Sequence, residues 1–293
     1  MRNRKKLHPN ILDYSIGPRL KASPNHPHLK IEKYAKEMPE AVAVFYQDQK
    51  ITYSNLNSKA NKLAQLLISL NVQRNSIVGI YLRRCPELVL ATIATHKANA
   101  ACSLLDPNLP LIRLNEIIGE LKPTVIITSK PHTQYFIEHN IKVIDAESID
   151  GLIAAYPDEI FPNYPEPDDT AYIFFTSGST GKPKAVISPY GWVVETIDSP
   201  PLSERHMLKT DSGTTFTRAE VLRPLVNGQH LFIAPAGLEK NLHGLIAYIQ
   251  QHRITNLIST PSALAAMLEI DDFRNCHSLT SILCSKFLYH FPV

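Results

Sequence analysis

The stretch YIFFTSGSTGKPK, residues Tyr172–Lys184, joins an apolar run to a turn rich in small, hydroxylated and basic residues. The run Tyr172–Phe175 predicts a buried strand, because aromatic and β-branched residues dominate it. The turn that follows brings backbone N–H groups, hydroxyls and ammonium groups together, which is the chemistry of a phosphate-binding loop. The stretch therefore predicts a strand that ends in an anion-binding turn.

Each part of this turn has a physical role in the prediction. The two glycines lack a Cβ and let the backbone approach a ligand, the hydroxyls donate hydrogen bonds, and the lysines supply positive charge. The predicted phosphate-binding residues are Thr176, Ser177, Gly178, Ser179, Thr180, Gly181, Lys182, Pro183 and Lys184. Composition alone leaves an ordinary exposed turn as the alternative. A Walker A loop does not fit, because Gly178 has no second glycine five residues later.

Length and composition indicate a soluble globular chain. The 293 residues are 44% hydrophobic and 19% charged, which is enough to bury a sizeable core in one large domain or two ordinary ones. The net charge of +3 is too close to balance to indicate nucleic acid or a membrane surface as a partner. No apolar stretch approaches the roughly 20 residues of a membrane span. Cytoplasmic localisation is the expectation.

Neither the cysteines nor the histidines have the spacing of a metal site. The four cysteines form no CxxC pair, and the 12 histidines are scattered, so the sequence predicts reduced thiols and no metal-ligating residue. The cysteines are Cys85, Cys102, Cys276 and Cys284.

Strands alternate with helices along most of the chain. A hairpin of Ala41–Tyr46 and Ile51–Tyr53 follows a short helix at Ile31–Met38, and Ser54 is predicted to cap the next helix. Further predicted strands are Ile77–Leu82, Ala100–Leu105, Thr124–Thr128, Ile141–Ile144, Ala185–Ser188, Leu231–Ala234 and Asn256–Ser259. Further predicted helices are Glu87–Ala98, Pro110–Leu121, Leu242–Gln251 and Pro261–Leu268. This order predicts an α/β fold of mainly parallel sheets flanked by helices, with ligands beyond the carboxyl ends of strands.

Some stretches give no regular pattern. Residues 1–28 are basic and proline-rich and predict a flexible tail, whereas Tyr156–Asp169 carries four prolines and predicts an exposed connector. Residues Ser199–Thr217 show no clear period.

The string TSGSTGKPK resembles the signature loop of the adenylate-forming superfamily, which includes acyl-CoA synthetases, luciferases and nonribosomal peptide synthetase adenylation domains. Three further stretches resemble motifs of that family: Ile51–Leu67, His96–Leu114 and Ile254–Glu269. The form of Leu105–Leu114, LDPNLPLIRL, resembles the peptide synthetase domains most, although Asn99 stands where the family usually has glycine. The resemblance extends over residues 29–284 and implies the large N-terminal domain of an adenylate-forming enzyme.

The resemblance implies an ATP- and Mg²⁺-dependent reaction in which a carboxylic acid, an amino acid or a related acid, forms an acyl-adenylate and pyrophosphate. The acyl group would then pass to a thiol, either on the phosphopantetheine of a carrier protein or on coenzyme A. Carrier proteins or the remaining synthetase domains are therefore expected partners, and neither nucleic acid nor a membrane is expected. Residues Thr176–Lys184 would hold the β- and γ-phosphates.

One departure from the family pattern concerns the substrate. Amino-acid-activating domains place an aspartate where it pairs with the substrate's α-ammonium, and Thr215 occupies that position when TTFTRAEVLRPL is aligned on Glu220 and Pro224. A hydroxyl cannot neutralise a buried ammonium group. Thr215 is therefore expected either to line the pocket for an acid without an α-amine or to mark a decayed pocket, and an ordinary surface threonine remains an alternative. Asp211 is a geometrically poor substitute.

A second departure lies at the end of the sequence. After Ser281–Cys284 the family pattern is replaced by the aromatic run SKFLYHFPV, residues 285–293, interpreted as an out-of-frame or unrelated end. The family's ribose- and magnesium-binding segments and its small C-terminal domain with the catalytic lysine have no counterpart in the sequence. No catalytic residue is therefore predicted, and the domain is expected to be incomplete. Two interpretations stay open: a fragment of an adenylating enzyme, and a non-catalytic remnant that binds nucleotide or a partner chain.

Overall fold

A computed structural model describes residues 26–159, 164–177, 182–197 and 204–284 of the chain. The strands are β1 (Val42–Tyr46), β2 (Gln49–Thr52), β3 (Ile77–Tyr81), β4 (Ala101–Leu104), β5 (Val125–Thr128), β6 (Lys142–Asp145), β7 (Thr170–Ser177), β8 (Pro183–Pro189), β9 (Arg205–Leu208), β10 (His230–Ile233), β11 (Asn256–Ser259) and β12 (Ser281–Cys284). The helices are α1 (Pro27–Glu37), α2 (Tyr53–Ser69), α3 (Pro86–Lys97), α4 (Leu111–Leu121), α5 (Lys130–Glu138), α6 (Ile149–Ile153), α7 (Tyr190–Ile197), α8 (Thr215–Leu225), α9 (Leu242–Gln251) and α10 (Pro261–Leu268).

The strands form two six-stranded sheets. The first sheet has the order β12-β11-β9-β10-β1-β2 and the second has the order β6-β5-β3-β4-β7-β8. Each is parallel except for one antiparallel edge pair, β1 with β2 and β7 with β8. The predicted α/β fold with mainly parallel sheets is confirmed.

Helix α3 lies in a core that both sheets share. Every residue of this helix except Glu87 is buried, which is the pattern of a helix with no solvent-facing side. The same apolar cluster contains Val44 and Leu231 of the first sheet and Val78 and Ile80 of the second. Burial of so much apolar surface between the sheets holds them together.

The outer face of each sheet has its own layer of helices. Phe232 of the first sheet packs with residues of α9 and α10, whereas Ile126 of the second sheet packs with residues of α4 and α5. Leu231 and Phe232 are adjacent in β10 and face different clusters, as the period of two in a strand requires. Both sheets are therefore covered on both faces.

Several element bounds match the sequence predictions and others do not. Helices α9 and α10 and strand β11 have the predicted bounds, but the cap of α2 is Thr52 rather than Ser54. The Thr52 hydroxyl accepts a hydrogen bond from Asn55 N at 3.2 Å, because the helix begins one residue earlier than expected, at Tyr53.

Four helices and two strands were not predicted. They are α5, α6, α7 and α8, together with β9 and β12. Strand β9 and the start of α8 lie inside the stretch Ser199–Thr217, where four residues of strand are too short to show a period. Helix α8 contains Pro224, a helix breaker in most contexts. Residues 1–25 and 285–293, predicted to be a flexible tail and an atypical end, lie outside the described residues, as do 160–163 of the predicted connector.

Gly228 occupies a position where no side chain fits. Its φ is +71°, in the left-handed region, and an added Cβ would lie 2.6 Å from Cε1 of Tyr34. The glycine thus lets the end of α8 approach α1. Gly119 is different, since it lies in the exposed interior of α4 with open space around it.

Substitution of these two glycines by alanine is expected to change stability in opposite directions. Gly228→Ala should lower the free energy of unfolding by about 2 kcal/mol, because the backbone conformation and the Tyr34 ring both oppose a Cβ. Gly119→Ala should raise it by about 0.5–1 kcal/mol, because alanine is the better helix former. Urea unfolding of both variants measures the two changes. Equal effects would contradict the packing described at Gly228.

Candidate functional site

A cleft of about 230 Å³ opens at the carboxyl ends of β4 and β7, where the segment after β9 closes one side. Its apolar part is formed by Leu104, Leu105, Leu109, Ile117 and Phe175. Its polar part is formed by Asp106, Arg113, Thr176, Ser212, Gly213 and Thr214. An apolar cavity with a few converging polar groups at the ends of parallel strands is the usual form of a small-molecule site.

The predicted phosphate-binding stretch begins at this cleft. Thr176 lines the cleft and pairs with Lys184 across the β7–β8 ladder, with its hydroxyl 3.5 Å from the Lys184 carbonyl oxygen. Lys182 and Lys184 are exposed. Gly178, Ser179, Thr180 and Gly181 lie outside the described residues, and for Ser177 only the backbone is described, paired with Pro183.

Arg113 adds a cation to the cleft that was not predicted as a site residue. It lies in the first turn of α4, with Nη2 3.5 Å from the carbonyl oxygen of Thr176 and Nη1 3.0 Å from Oε2 of Glu116. The sequence did contain a signal. Arg113 closes the motif LDPNLPLIRL, whose first residues end β4 at the cleft.

The opposite wall is the segment that joins β9 to α8. The buried Glu220 carboxylate accepts hydrogen bonds from the N–H groups of Lys209 and Thr210, at 3.0 and 2.9 Å. Burial raises the pKa of Glu220, and the Lys209 charge and the Thr210 hydrogen bonds oppose that shift. Ser212 donates to the carbonyl oxygen of Leu82 at 2.6 Å, which ties this wall to the second sheet. The segment is therefore held from both sheets.

Thr215 lies beside the cleft and is not among its lining residues. It begins α8 and is partly buried, whereas its neighbour Thr214 lines the cleft and caps the helix by accepting a bond from Thr217 N at 3.3 Å. The cleft thus meets the first turn of α8, and a pocket role for Thr215 stays a prediction.

Arg84 connects the two sheets next to the cleft. Its side chain is 1% exposed and donates to Asp211 Oδ1 and Glu239 Oε2, both at 2.6 Å. It also donates to the carbonyl oxygens of Ala234 at 3.2 Å and Pro235 at 2.9 Å. Burial raises the pKa of Asp211, although Arg84 opposes the shift. Asp211 is therefore already paired with a cation of the protein.

A second cleft, also of about 230 Å³, lies between α2, α3 and α6. Its charged lining consists of Glu87, Glu147, Asp150 and Lys59, and Lys59 is paired with Asp150 at 2.6 Å. This excess of carboxylates repels phosphate, whereas the first cleft carries Arg113 beside the two exposed lysines of β8 and its turn. Charge therefore favours the first cleft as the site for a phosphorylated ligand.

Among the described residues there is no cluster of three or more histidine, cysteine, aspartate or glutamate side chains that would hold a metal ion. The same part of the chain contains no helix long and apolar enough to cross a membrane. An ion that accompanies a nucleotide here would depend on phosphate oxygens and water for its ligands, as Mg²⁺ often does.

Comparison with known proteins agrees with this fold and site. A sequence profile of the family described as AMP-binding enzyme matches residues 31–286. The chain is 29% identical over 266 residues to tyrocidine synthase 3 of Brevibacillus parabrevis, covering 88% of this chain and 4% of that protein. It is 29% identical over 260 residues to the dimodular nonribosomal peptide synthase of Bacillus subtilis strain 168, covering 83% of this chain and 11% of that protein.

Among solved structures, the chain resembles the Klebsiella oxytoca NpsA N-terminal subdomain in complex with 3-hydroxyanthranilyl-AMSN. The TM-score is 0.76 at 24% identity, and the match covers 90% of this chain and 66% of that one, which supports the fold. The chain spans only 3% to 22% of the length of the curated relatives it matches.

Removal of the Arg84 charge is expected to destabilise the chain strongly. Arg84→Met should lower the free energy of unfolding by about 3 kcal/mol, because Asp211 and Glu239 would keep their charges without the buried cation. Lys59→Met is the matched control, since its pair with Asp150 is exposed by 36% and 72% and should contribute at most about 1 kcal/mol. Urea unfolding at neutral pH measures both, and equal losses would contradict the described role of Arg84.

Proposed function

This chain belongs to the AMP-binding enzyme family, and on that premise we propose that it supplies the phosphate-binding face of an ATP-dependent acid-adenylating domain of nonribosomal peptide synthesis. The observation that carries the proposal is the meeting of Thr176, Arg113 and the Lys182–Lys184 end of the hairpin at one cleft mouth. Family membership and similarity to a nonribosomal peptide synthase support the reaction class.

The reaction proposed is attack of a carboxylate oxygen on the α-phosphorus of ATP. A new oxygen–phosphorus bond forms, the bond to the β-phosphate oxygen breaks, and pyrophosphate leaves with the negative charge. Transfer of this kind depends on positioning and on neutralisation of phosphate oxygens. In this chain Lys182 and Lys184 would provide positive charge to the β- and γ-phosphates, and the Thr176 hydroxyl would donate a hydrogen bond. The proposed ligand set for the phosphates is Thr176–Lys184 as a whole, and Mg²⁺ would accompany the nucleotide.

The apolar part of the cleft would receive the hydrocarbon portion of the acid. Leu105, Leu109 and Phe175 offer no charge to a substrate, and Asp211 is paired with Arg84. With Thr215 at the position of the expected aspartate, an acid related to an amino acid but without an α-ammonium group suits this wall best. The acceptor is proposed to be the phosphopantetheine thiol of a carrier protein or carrier domain.

The second candidate function is nucleotide binding without catalysis, and the neutral Thr215 favours it as well. Exchange of radioactive pyrophosphate into ATP separates the two. The adenylating function predicts exchange that depends on one acid from a panel that includes aromatic and aliphatic acids with and without an α-amine. ATP binding without any acid-dependent exchange would leave the non-catalytic function in its place.

The lysines of the hairpin are expected to dominate nucleotide affinity. The double variant Lys182→Ala/Lys184→Ala should weaken MgATP binding at least about tenfold, because each lysine loses a charge-assisted contact with phosphate. Lys33→Ala/Lys36→Ala removes the same charge from the exposed face of α1 and is the control. Calorimetric titration with MgATP measures both, and an unchanged affinity in the hairpin variant would sink the phosphate assignment.

A further inference from the structure

A buried chain of hydrogen bonds connects helix α3 to both strands of the β7–β8 hairpin. His96 of α3 lies 2.9 Å through Nε2 from the Tyr172 hydroxyl and 2.7 Å through Nδ1 from the Tyr190 hydroxyl. Tyr172 belongs to β7, and Tyr190 directly follows β8. All three side chains are at most 1% exposed. One imidazole therefore bridges the two strands that carry the proposed phosphate-binding residues.

The geometry fixes the direction of each hydrogen bond. The Tyr190 hydroxyl donates its single proton to the carbonyl oxygen of Ala100 at 3.2 Å, so it accepts from Nδ1–H of His96. Burial, with smaller contributions from His26 and Arg218, lowers the pKa of His96 to about 3, so the ring is neutral at physiological pH. Nε2 then has no proton and accepts from the Tyr172 hydroxyl. The network therefore requires the Nδ1–H tautomer.

Tyr172 lies where β7 has little other attachment to the sheet. The parallel ladder between β4 and β7 has one paired position, Cys102 with Tyr172, and the β7–β8 ladder has an irregularity between Thr170 and Tyr172. Ser103 adds a bond from its hydroxyl to the carbonyl oxygen of Ile173 at 2.9 Å. Because a slip of one residue would turn every side chain of a strand to its other face, side-chain contacts here determine where Thr176 points.

The network also reaches the opposite wall of the cleft. The guanidinium carbon of Arg218, in α8, lies 5.6 Å from the centre of the Tyr172 ring and 4.5 Å from that of Trp192 in α7. Both distances are within the range of cation–π attraction. Tyr172 thus contacts the helix whose first turn meets the cleft.

We propose that His96 is a positioning residue for nucleotide binding, which sets the register of β7 and β8 through Tyr172 and Tyr190 and so places Thr176 and Lys184 at the cleft. The inference rests on the proposed function, because it assigns His96 a role in the affinity for phosphate groups. A histidine that only stabilises the core would contribute to unfolding free energy and leave nucleotide affinity unchanged.

Matched tyrosine variants separate these two roles. Tyr172→Phe removes the hydroxyl that bonds His96, and Tyr53→Phe removes an equally buried hydroxyl that donates to the Gln229 carbonyl oxygen at 2.7 Å, far from the hairpin. Both variants should lower the urea midpoint of unfolding. Only Tyr172→Phe should also weaken MgATP binding, by about fivefold, the effect of one lost hydrogen bond.

Variants of His96 itself provide the rescue test. His96→Leu removes both bonds and should weaken MgATP binding more than Tyr172→Phe does. His96→Gln keeps one donor and one acceptor and should recover part of that loss. If His96→Leu fails to fold, the tyrosine pair still decides the matter.

The outcomes distinguish the inference from the function on which it rests. MgATP binding by the wild-type chain with equal affinities in Tyr172→Phe and Tyr53→Phe would overturn the positioning role alone. Absence of MgATP binding by the wild-type chain would overturn the proposed function, and the positioning role with it. Long-range ¹H–¹⁵N correlation spectra of His96 test the network independently: a neutral Nδ1–H ring is expected, and an Nε2–H or doubly protonated ring would contradict the hydrogen-bond chain.

Discussion

The buried guanidinium of Arg84 is the interaction on which the cleft depends. It follows β3 of the second sheet, and all four of its acceptors belong to segments that follow β9 and β10 of the first sheet. A buried cation costs several kcal/mol unless carboxylates and carbonyl groups surround it, so the two sheets must meet at this point for the charge to be tolerated. The segment from Asp211 to Thr214 is held by this contact, and that segment is one wall of the cleft.

Parallel strands explain why the remaining groups gather at the same place. The carboxyl ends of β3, β4 and β7 lie along one edge of the second sheet, so Arg84, Asp106 and Thr176 follow neighbouring strands. Helix α4 returns from the end of β4 and brings Arg113 within 3.5 Å of the Thr176 carbonyl oxygen. The cations are thus concentrated near the hairpin, whereas the second cleft between α2, α3 and α6 is lined mainly by carboxylates.

Local patterns were sufficient to predict much of the fold, and long-range contacts account for what was not predicted. Tyr172–Lys184 predicted a strand and a turn, and the structure places them on an antiparallel pair beside the cleft. Arg84 and Asp211 are 127 residues apart in the chain, and His96 and Tyr190 are 94 apart, so no local period indicates either pair. Helix α8 was not predicted because its Pro224 and its polar first turn conceal it, and its stability comes from the Thr214 cap and burial of Val221, Leu222 and Leu225.

Hydrogen exchange of the whole chain, followed by mass spectrometry with and without MgATP, tests most directly that the hairpin and the wall opposite it bind the nucleotide. Slower exchange is expected in peptides that cover residues 170–189 and 209–217, with no change in peptides that cover α9 and α10. Protection confined to the cleft between α2, α3 and α6, or no protection anywhere, would contradict the assignment of the phosphate site.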